Sequence, residues 1–327
     1  MEQLEQEFNK LFETVYSNSI RRKRKCFVEN CSLEAISSHL LQKNGLLSQI
    51  SDKDKNLYQV KLFRYPIAKY VVKKVSANKA LTFKGFCNNH DSELFKSIED
   101  KNEIDFNDYN TQLLFSYRSV LKEYRDKEAL VEFFREMFLK SISIILLKPY
   151  SELFYNSLRA EISAQNTVGF IVKSIQKNLN NIKENQFHFN VFELPKLEIC
   201  ASAIYSLESV GETNRRLQLS DLEVKHLPCL IINIIPQKTK TILLIGYHTL
   251  SKDLCEKVVK EYYEFDEKGL VKLVSDMLIR NFETWAFSSN IYEKKIKKRE
   301  DIFLDLMNNY IGKMQFSNEK IDFNIFE

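Results

Sequence analysis

Four side chains near the N-terminus have the types and the spacing of a metal site. Cys26 and Cys31 are separated by four residues, and Cys87 and His90 form a second close pair. Zinc takes thiolate and imidazole ligands in closed tetrahedral sites, where two such pairs are joined by a longer segment. The start of a helix would place Cys87 and His90 on one side, because they are three residues apart. The sequence therefore predicts one structural Zn²⁺ at these four residues; the alternative is buried thiols and a surface histidine.

The segment that contains these residues is strongly basic. Between Arg21 and Lys84 there are 15 Lys and Arg against 4 Asp and Glu, a side-chain balance of about +11, whereas the whole chain carries only +4. A run of five cations directly precedes Cys26: Arg21, Arg22, Lys23, Arg24 and Lys25. A zinc knuckle would hold this run beside a phosphate backbone, so nucleic acid is the expected partner. The alternative is the end of a helix whose dipole favours cations.

The order of these residues resembles the zinc-stabilised HNH (ββα-metal) nucleases. The resemblance covers residues 26–99 and uses the two cysteines, then Ser38-His39, then Cys87-x2-His90 followed by Asp91. It implies a treble-clef-like zinc scaffold around a hairpin and a helix, which together hold one catalytic Mg²⁺ or Mn²⁺. It also implies roles for three residues: His39 as general base, Asp91 where the family usually has its last metal-binding histidine, and Asn78 in place of the middle asparagine.

Two features depart from that family. Ser38 stands where a metal-binding aspartate commonly precedes the histidine, and the 47 residues between His39 and Cys87 are more than the motif needs.

A histidine with a pKa near neutrality suits proton removal from water, and a carboxylate suits Mg²⁺. The expected function is therefore metal-dependent cleavage of DNA or RNA, with bacterial defence as the expected context. The alternative is a non-catalytic zinc-stabilised protein that binds nucleic acid or another protein.

The composition limits the remaining possibilities. A chain of 327 residues with 44% hydrophobic and 12% aromatic residues predicts a folded protein of two domains. It contains no GxGxxG or GxxxxGK[ST] sequence, which argues against dinucleotide and P-loop chemistry. No apolar run approaches the ~20 residues that span a bilayer. Six cysteines without a secretory leader indicate thiols or metal ligands, and a cytoplasmic protein without membrane contact is expected.

The hydrophobic pattern predicts an α+β fold in two units. Residues 1–105 are expected to form the small zinc-bound, treble-clef/HNH-like module with an N-terminal helix. Residues 106–327 are expected to form a larger helical and mixed-sheet domain of unknown role. The predicted elements of this domain are a helical pair within 110–185, strands within 188–247 and C-terminal helices. His226, Cys229 and His248 are interpreted as core residues of a hairpin rather than as a second metal cluster.

Overall fold

The chain forms a mixed α/β structure. The computed structural model describes residues 2–42, 45–64, 68–99, 104–207, 228–311 and 321–327. Within these ranges, none of the helices combines the length and the apolar character needed to cross a lipid bilayer.

Two long helices dominate the helical part. Their apolar side chains recur at helical spacing, and those of the first, such as Leu113, Tyr117 and Leu121, are buried. The predicted helical pair is confirmed, because α3 and α4 pack along each other across a short connection at Pro149. The helices are α1 (Glu2–Arg21), α2 (Asn88–Glu99), α3 (Tyr109–Ser143), α4 (Ser151–Asn180), α5 (Lys252–Tyr262), α6 (Glu267–Arg280), α7 (Ser289–Ile291) and α8 (Glu300–Asn309).

Nine strands form two sheets among the described residues. The larger sheet is antiparallel in every pairing and has the order β3-β2-β9-β6-β7-β8-β5, while β1 and β4 form a separate two-stranded sheet. The strands are β1 (Ser37–His39), β2 (Asn56–Phe63), β3 (Lys69–Ser76), β4 (Thr82–Lys84), β5 (Phe187–Pro195), β6 (Ile199–Ser206), β7 (Cys229–Pro236), β8 (Lys240–His248) and β9 (Thr284–Phe287).

Both faces of the larger sheet are covered. Every residue of β7 is buried, and β8 is buried except at its two ends, as their continuous apolar runs predicted. The helices α3 and α4 contribute Val120 and Val172 to the core on one face. The helices α5, α6 and α8 contribute Val258, Leu278 and Phe303 to the core on the other.

The predicted strands and the hairpin of β7 and β8 are confirmed. The short strands β1, β4 and β9 were not predicted, because three or four residues are too few for a period-two pattern to stand out. Residues 208–227, within the region predicted to contain strands, and residues 312–320, within the region predicted to contain the C-terminal helices, lie outside the described residues.

The hairpin of β2 and β3 joins the N-terminal third to the rest of the chain. β2 pairs with β9 on its far side, so the hairpin forms one end of the larger sheet. Residues of the N-terminal third, such as Phe86 and Leu40, belong to the same core cluster as Val120 and Cys200. The division into units 1–105 and 106–327 stays a prediction, but the two share one sheet and one core.

The ends of α3 and α4 that meet at Pro149 extend into a three-helix arm with α1. A third core cluster fills this arm, formed by Phe12 and Val15 of α1, Phe133 and Met137 of α3, and Phe154 of α4. The arm is therefore packed by its own side chains. Its outer end is the connection between α3 and α4.

We expect Asp108→Ala to lower the free energy of unfolding by about 1 kcal/mol, because Asp108 caps α3. Its carboxylate accepts hydrogen bonds from the backbone N–H of Thr111, at 2.8 Å, and from the Thr111 hydroxyl, also at 2.8 Å. Urea denaturation measures the change. Asp253→Ala is the matched control, because Asp253 is exposed in the first turn of α5 and is not its cap. An equal loss in both variants would contradict the capping role.

Candidate metal centre

Cys26 and Cys31 are positioned by a tight turn. The N–H of Cys26 donates to the Leu33 carbonyl at 2.8 Å, and the N–H of Cys31 donates to the Val28 carbonyl at 3.1 Å. Asn30 has a φ of 63°, in the left-handed region that asparagine tolerates better than most residues. These bonds fold the chain back so that both thiols face the same side of the turn, as in a zinc knuckle.

Cys87 and His90 come from the start of α2. The N–H of Asp91 donates to the Cys87 carbonyl at 3.0 Å, which sets the first turn of the helix. A second backbone bond, from the N–H of Phe27 to the Gly85 carbonyl at 3.1 Å, ties the turn of Cys26 to the segment that leads into α2. Backbone bonds therefore bring the two pairs of ligands together.

The four ligand atoms lie close enough together to share one metal ion. His90 Nδ1 is 3.3 Å from the Sγ atoms of both Cys26 and Cys87, and the Sγ atoms of Cys31 and Cys87 are 4.0 Å apart. All four atoms are within 4.8 Å of one another. Zn–S bonds of ~2.3 Å and Zn–N bonds of ~2.0 Å give tetrahedral edges of about 3.5 to 3.8 Å. Cys26, Cys31, Cys87 and His90 thus form a cluster that could hold a metal ion such as zinc.

The surroundings of the cluster act in opposite directions on its two buried thiols. Cys26 and Cys87 are buried, and the buried ring of Phe86 lies next to Cys87 in the chain. Burial raises the pKa of the Cys26 thiol, whereas the backbone N–H of His90 lowers the pKa of the Cys87 thiol. A thiolate at Cys87 is stabilised because the N–H groups at the start of a helix point toward it. All six cysteines are free thiols, and Cys200, Cys229 and Cys255 are buried in the sheet domain, away from the cluster's ligand set.

His39 lies on β1, opposite Thr82 of β4. Its side chain is half-buried, and the Oγ of the buried Ser38 makes no hydrogen bond to any described residue. Asn78 is exposed in the turn between β3 and β4. The pair β1–β4 and the helix α2 therefore carry two of the three proposed catalytic residues, while the third lies on a solvent-facing turn.

Asp91 faces a buried arginine. Its side chain is 18% exposed, its Oδ1 is buried without a hydrogen bond, and Nη2 of Arg118 lies 3.8 Å from that oxygen. Arg118, on α3, is almost fully buried; it pairs with Glu99 at 2.5 Å and stacks on the Phe95 ring at 3.8 Å. One guanidinium thus faces two of the three acidic side chains of α2, Asp91 and Glu99, and holds the helix against α3.

The basic run is largely engaged in ion pairs. Arg24 is buried and donates to both carboxylate oxygens of Glu132, at 2.6 and 2.9 Å, while Arg22 pairs with Glu132 at 3.1 Å. Lys23 pairs with Glu34 at 2.9 Å. Arg21 and Lys25 are exposed. Contact of this run with nucleic acid stays a prediction, and the burial of Arg24 gives that residue a structural role in any case.

Sequence reasoning missed the acidic partners and Arg118. Glu132 lies 108 residues from Arg24, and no local pattern connects such distant positions. Arg118 did carry a signal, since it lies between Leu114 and Leu121 on the apolar stripe of α3, where a cation needs a buried partner. Of the three residues interpreted as hairpin core, Cys229 is buried in β7, His248 is half-buried at the end of β8, and His226 lies outside the described residues.

Comparison with known proteins finds no match for this chain: no family model fits the sequence, and neither curated proteins nor solved structures are significantly similar to it. The site is therefore defined by its geometry. That geometry is a cluster of three cysteines and one histidine near the N-terminus, able to hold a metal ion such as zinc.

Replacing one ligand tests the cluster. We expect the purified full chain to contain about one zinc and Cys31→Ser to lose most of it, because three ligands hold the ion far more weakly than four. Elemental analysis measures the metal, and thermal unfolding measures the accompanying fall in Tm. Cys255→Ser is the matched control, since that buried thiol lies outside the cluster. Absence of zinc from the wild type, or equal zinc in both variants, would contradict the site.

The ion pair of Arg24 predicts a pH dependence. Burial alone would raise the pKa of Glu132, but the guanidinium groups of Arg24 and Arg22 outweigh it and hold that pKa below its ordinary value. Because the pKa of Glu132 is lower in the folded chain than the 4.5 of an unfolded chain, the ionised carboxylate stabilises the folded protein above pH 4.5. This stabilisation is lost as the pH falls through the pKa of Glu132 in the folded protein. We expect Glu132→Gln to cost about 1 to 3 kcal/mol at neutral pH and almost nothing in strongly acidic solution.

Denaturation of both proteins across that pH range measures the difference. Glu136→Gln, one turn further along α3, is the control, because Glu136 pairs at 3.4 Å only with the partly exposed Lys140. A cost for Glu132→Gln that does not change with pH would show that the carboxylate charge is not what anchors Arg24.

Proposed function

We propose that the protein is a metal-dependent nuclease of the HNH type that cleaves DNA or RNA phosphodiesters. The observation that carries the proposal is the Cys26, Cys31, Cys87 and His90 cluster, which fixes the start of α2 beside the turn that leads into β1. His39 belongs to β1 and Asp91 to the first turn of α2. A pair of strands followed by a helix, fastened by zinc, is the arrangement that the sequence resemblance implies.

The chemistry of the donor set supports a cation beside Asp91. The buried Oδ1 of Asp91 has no hydrogen bond, and a buried carboxylate oxygen without a donor is costly unless a cation satisfies it. The Oγ of Ser38, next to His39, is likewise buried and without a hydrogen bond among the described residues. Oxygen atoms are the ligands that Mg²⁺ prefers, so Asp91 is the residue expected to hold it.

The proposed reaction needs a base and a charge. His39 accepts a proton from the water that attacks phosphorus, because a neutral imidazole nitrogen can act as a general base. A bound Mg²⁺ or Mn²⁺ supplies the positive charge that stabilises the leaving oxygen. Asp91 holds that ion, and the exposed cations of the basic segment, including Arg21 and Lys25, contact the substrate backbone.

One observation favours the second candidate, a non-catalytic zinc-stabilised protein that binds nucleic acid. Arg118 Nη2, at 3.8 Å, already offers Asp91 a positive charge and opposes a divalent ion at the same carboxylate. A metal at Asp91 would have to bind despite repulsion from the Arg118 guanidinium. Otherwise Arg118 would have to pair with Glu99 alone, its closer partner at 2.5 Å. In this second candidate Asp91 is a structural residue and the basic segment alone interacts with nucleic acid.

Cleavage assays on the full chain decide between the two. We expect nicking of supercoiled plasmid or of single-stranded RNA that requires Mg²⁺ or Mn²⁺, and His39→Ala is expected to slow it by about 10²-fold or more. Asp91→Asn is expected to raise the Mg²⁺ concentration needed for half-maximal rate. His188→Ala, at a half-buried histidine of β5, is the matched control and should cleave like the wild type.

Elemental analysis and circular dichroism of the His39→Ala variant are the controls, and we expect both the zinc content and the fold to match the wild type. Mobility shifts of the same nucleic acids without any cleavage would establish the non-catalytic candidate. Cleavage that persists at full rate in His39→Ala would exclude His39 as the base.

A further inference from the structure

The outer end of the three-helix arm exposes an unusual amount of apolar surface. The residues concerned lie on the last turns of α3, on the connection and on the first turn of α4; Ile145 is 88% exposed, Ile142 65% and Leu153 60%. We call this surface the arm tip and define it by six side chains: Leu139, Ile142, Ile145, Leu146, Tyr150 and Leu153.

The exposed area of the arm tip is at least comparable with the largest apolar patch of a typical monomer. With ordinary side-chain areas, the exposed fractions leave roughly 700 Å² of apolar surface in contact with water, against ~300 to 600 Å² for the largest patch on a typical monomer. A standard protein–protein interface buries ~800 Å² on each partner. The arm tip therefore has the area that one half of a dimer interface needs.

The charges within the arm tip complement one another. Between Lys140 and Arg159 the chain has only two charged residues, Lys148 and Glu152, and both are exposed. Neither belongs to an ion pair with another described residue. One surface thus presents a cation and an anion, each available to a partner that offers the opposite charge at the matching place.

We infer that the arm tip binds the arm tip of a second copy of this chain across a two-fold axis. Two-fold symmetry repeats every contact in both directions. Lys148 of one copy therefore faces Glu152 of the other, and Glu152 of the first copy faces Lys148 of the second. The apolar side chains, with Ile145 at their centre, become buried between the two arms. The sheet and the candidate metal centre lie at the opposite end of each arm and stay accessible.

The charge pattern favours this partner over the alternatives. Nucleic acid would select a surface with an excess of cations and little apolar area, whereas the arm tip is apolar and balanced in charge. Insertion into a bilayer would place the carboxylate of Glu152 beside Leu153 in the apolar layer, where an ionised group is costly. A second copy satisfies both the charges and the apolar area with one contact.

Sedimentation equilibrium of the full chain tests the dimer. We expect the wild type to reach twice the chain mass of 38.6 kDa, and Ile145→Asp to weaken association by about 10²-fold or more, because it buries an unpaired charge in the interface. Lys148→Glu and Glu152→Lys are each expected to weaken it by about tenfold, since each creates like charges across the two-fold axis. The double variant Lys148→Glu with Glu152→Lys should restore the dimer.

Leu250→Asp is the matched control, because Leu250 is 64% exposed on another part of the molecule; it should dimerise like the wild type. Unchanged thermal unfolding of the variants shows that they fold. A wild type that stays monomeric, or a dimer that none of the tip variants affects, overturns the inference. Monomers that co-sediment with phosphatidylcholine–phosphatidylglycerol vesicles through Ile145 also overturn it, in favour of a membrane.

Discussion

The convergence of four ligand atoms from two distant parts of the chain is the constraint on which the N-terminal third depends. The turn of Cys26 and Cys31 follows directly on the basic run, and the apolar side chains between its two thiols are those of Phe27 and Val28. Three thiol sulfurs and one imidazole nitrogen lie within 4.8 Å of one another, and a metal that neutralises and joins them would add its bonds to the shared core. Without that bond, the clustered thiols would have to be desolvated with no gain in return.

Arg118 links this cluster to the rest of the molecule. The guanidinium stacks on Phe95 and pairs with Glu99, so that α2 is fixed to the long helix α3 by the same side chain that approaches Asp91. Any chemistry at Asp91 is therefore coupled to the packing of α2. The divalent ion proposed at Asp91 would compete with Arg118 for the same carboxylate, so the two candidate functions differ in which cation neutralises Asp91.

Secondary-structure elements with a strong hydrophobic period, and metal ligands of a distinctive residue type, could be predicted from the sequence. The long helices, the apolar strands β7 and β8 and the set Cys26, Cys31, Cys87 and His90 all follow from residue types at fixed local spacing. The ion pair of Arg24 with Glu132 and the pairing of β2 with β9 do not, because each depends on two segments more than 100 residues apart.

The position of β9 has a consequence for how the protein is made. This four-residue strand fills the gap between β2 and β6, although it follows β6 by almost 80 residues and β2 by more than 200. Until the ribosome has released residues 284–287, both β2 and β6 present bare hydrogen-bonding edges in the emerging chain. Synthesis therefore passes through a stage in which two apolar strands await a common neighbour, and the nascent chain needs either rapid completion or chaperone cover at that stage.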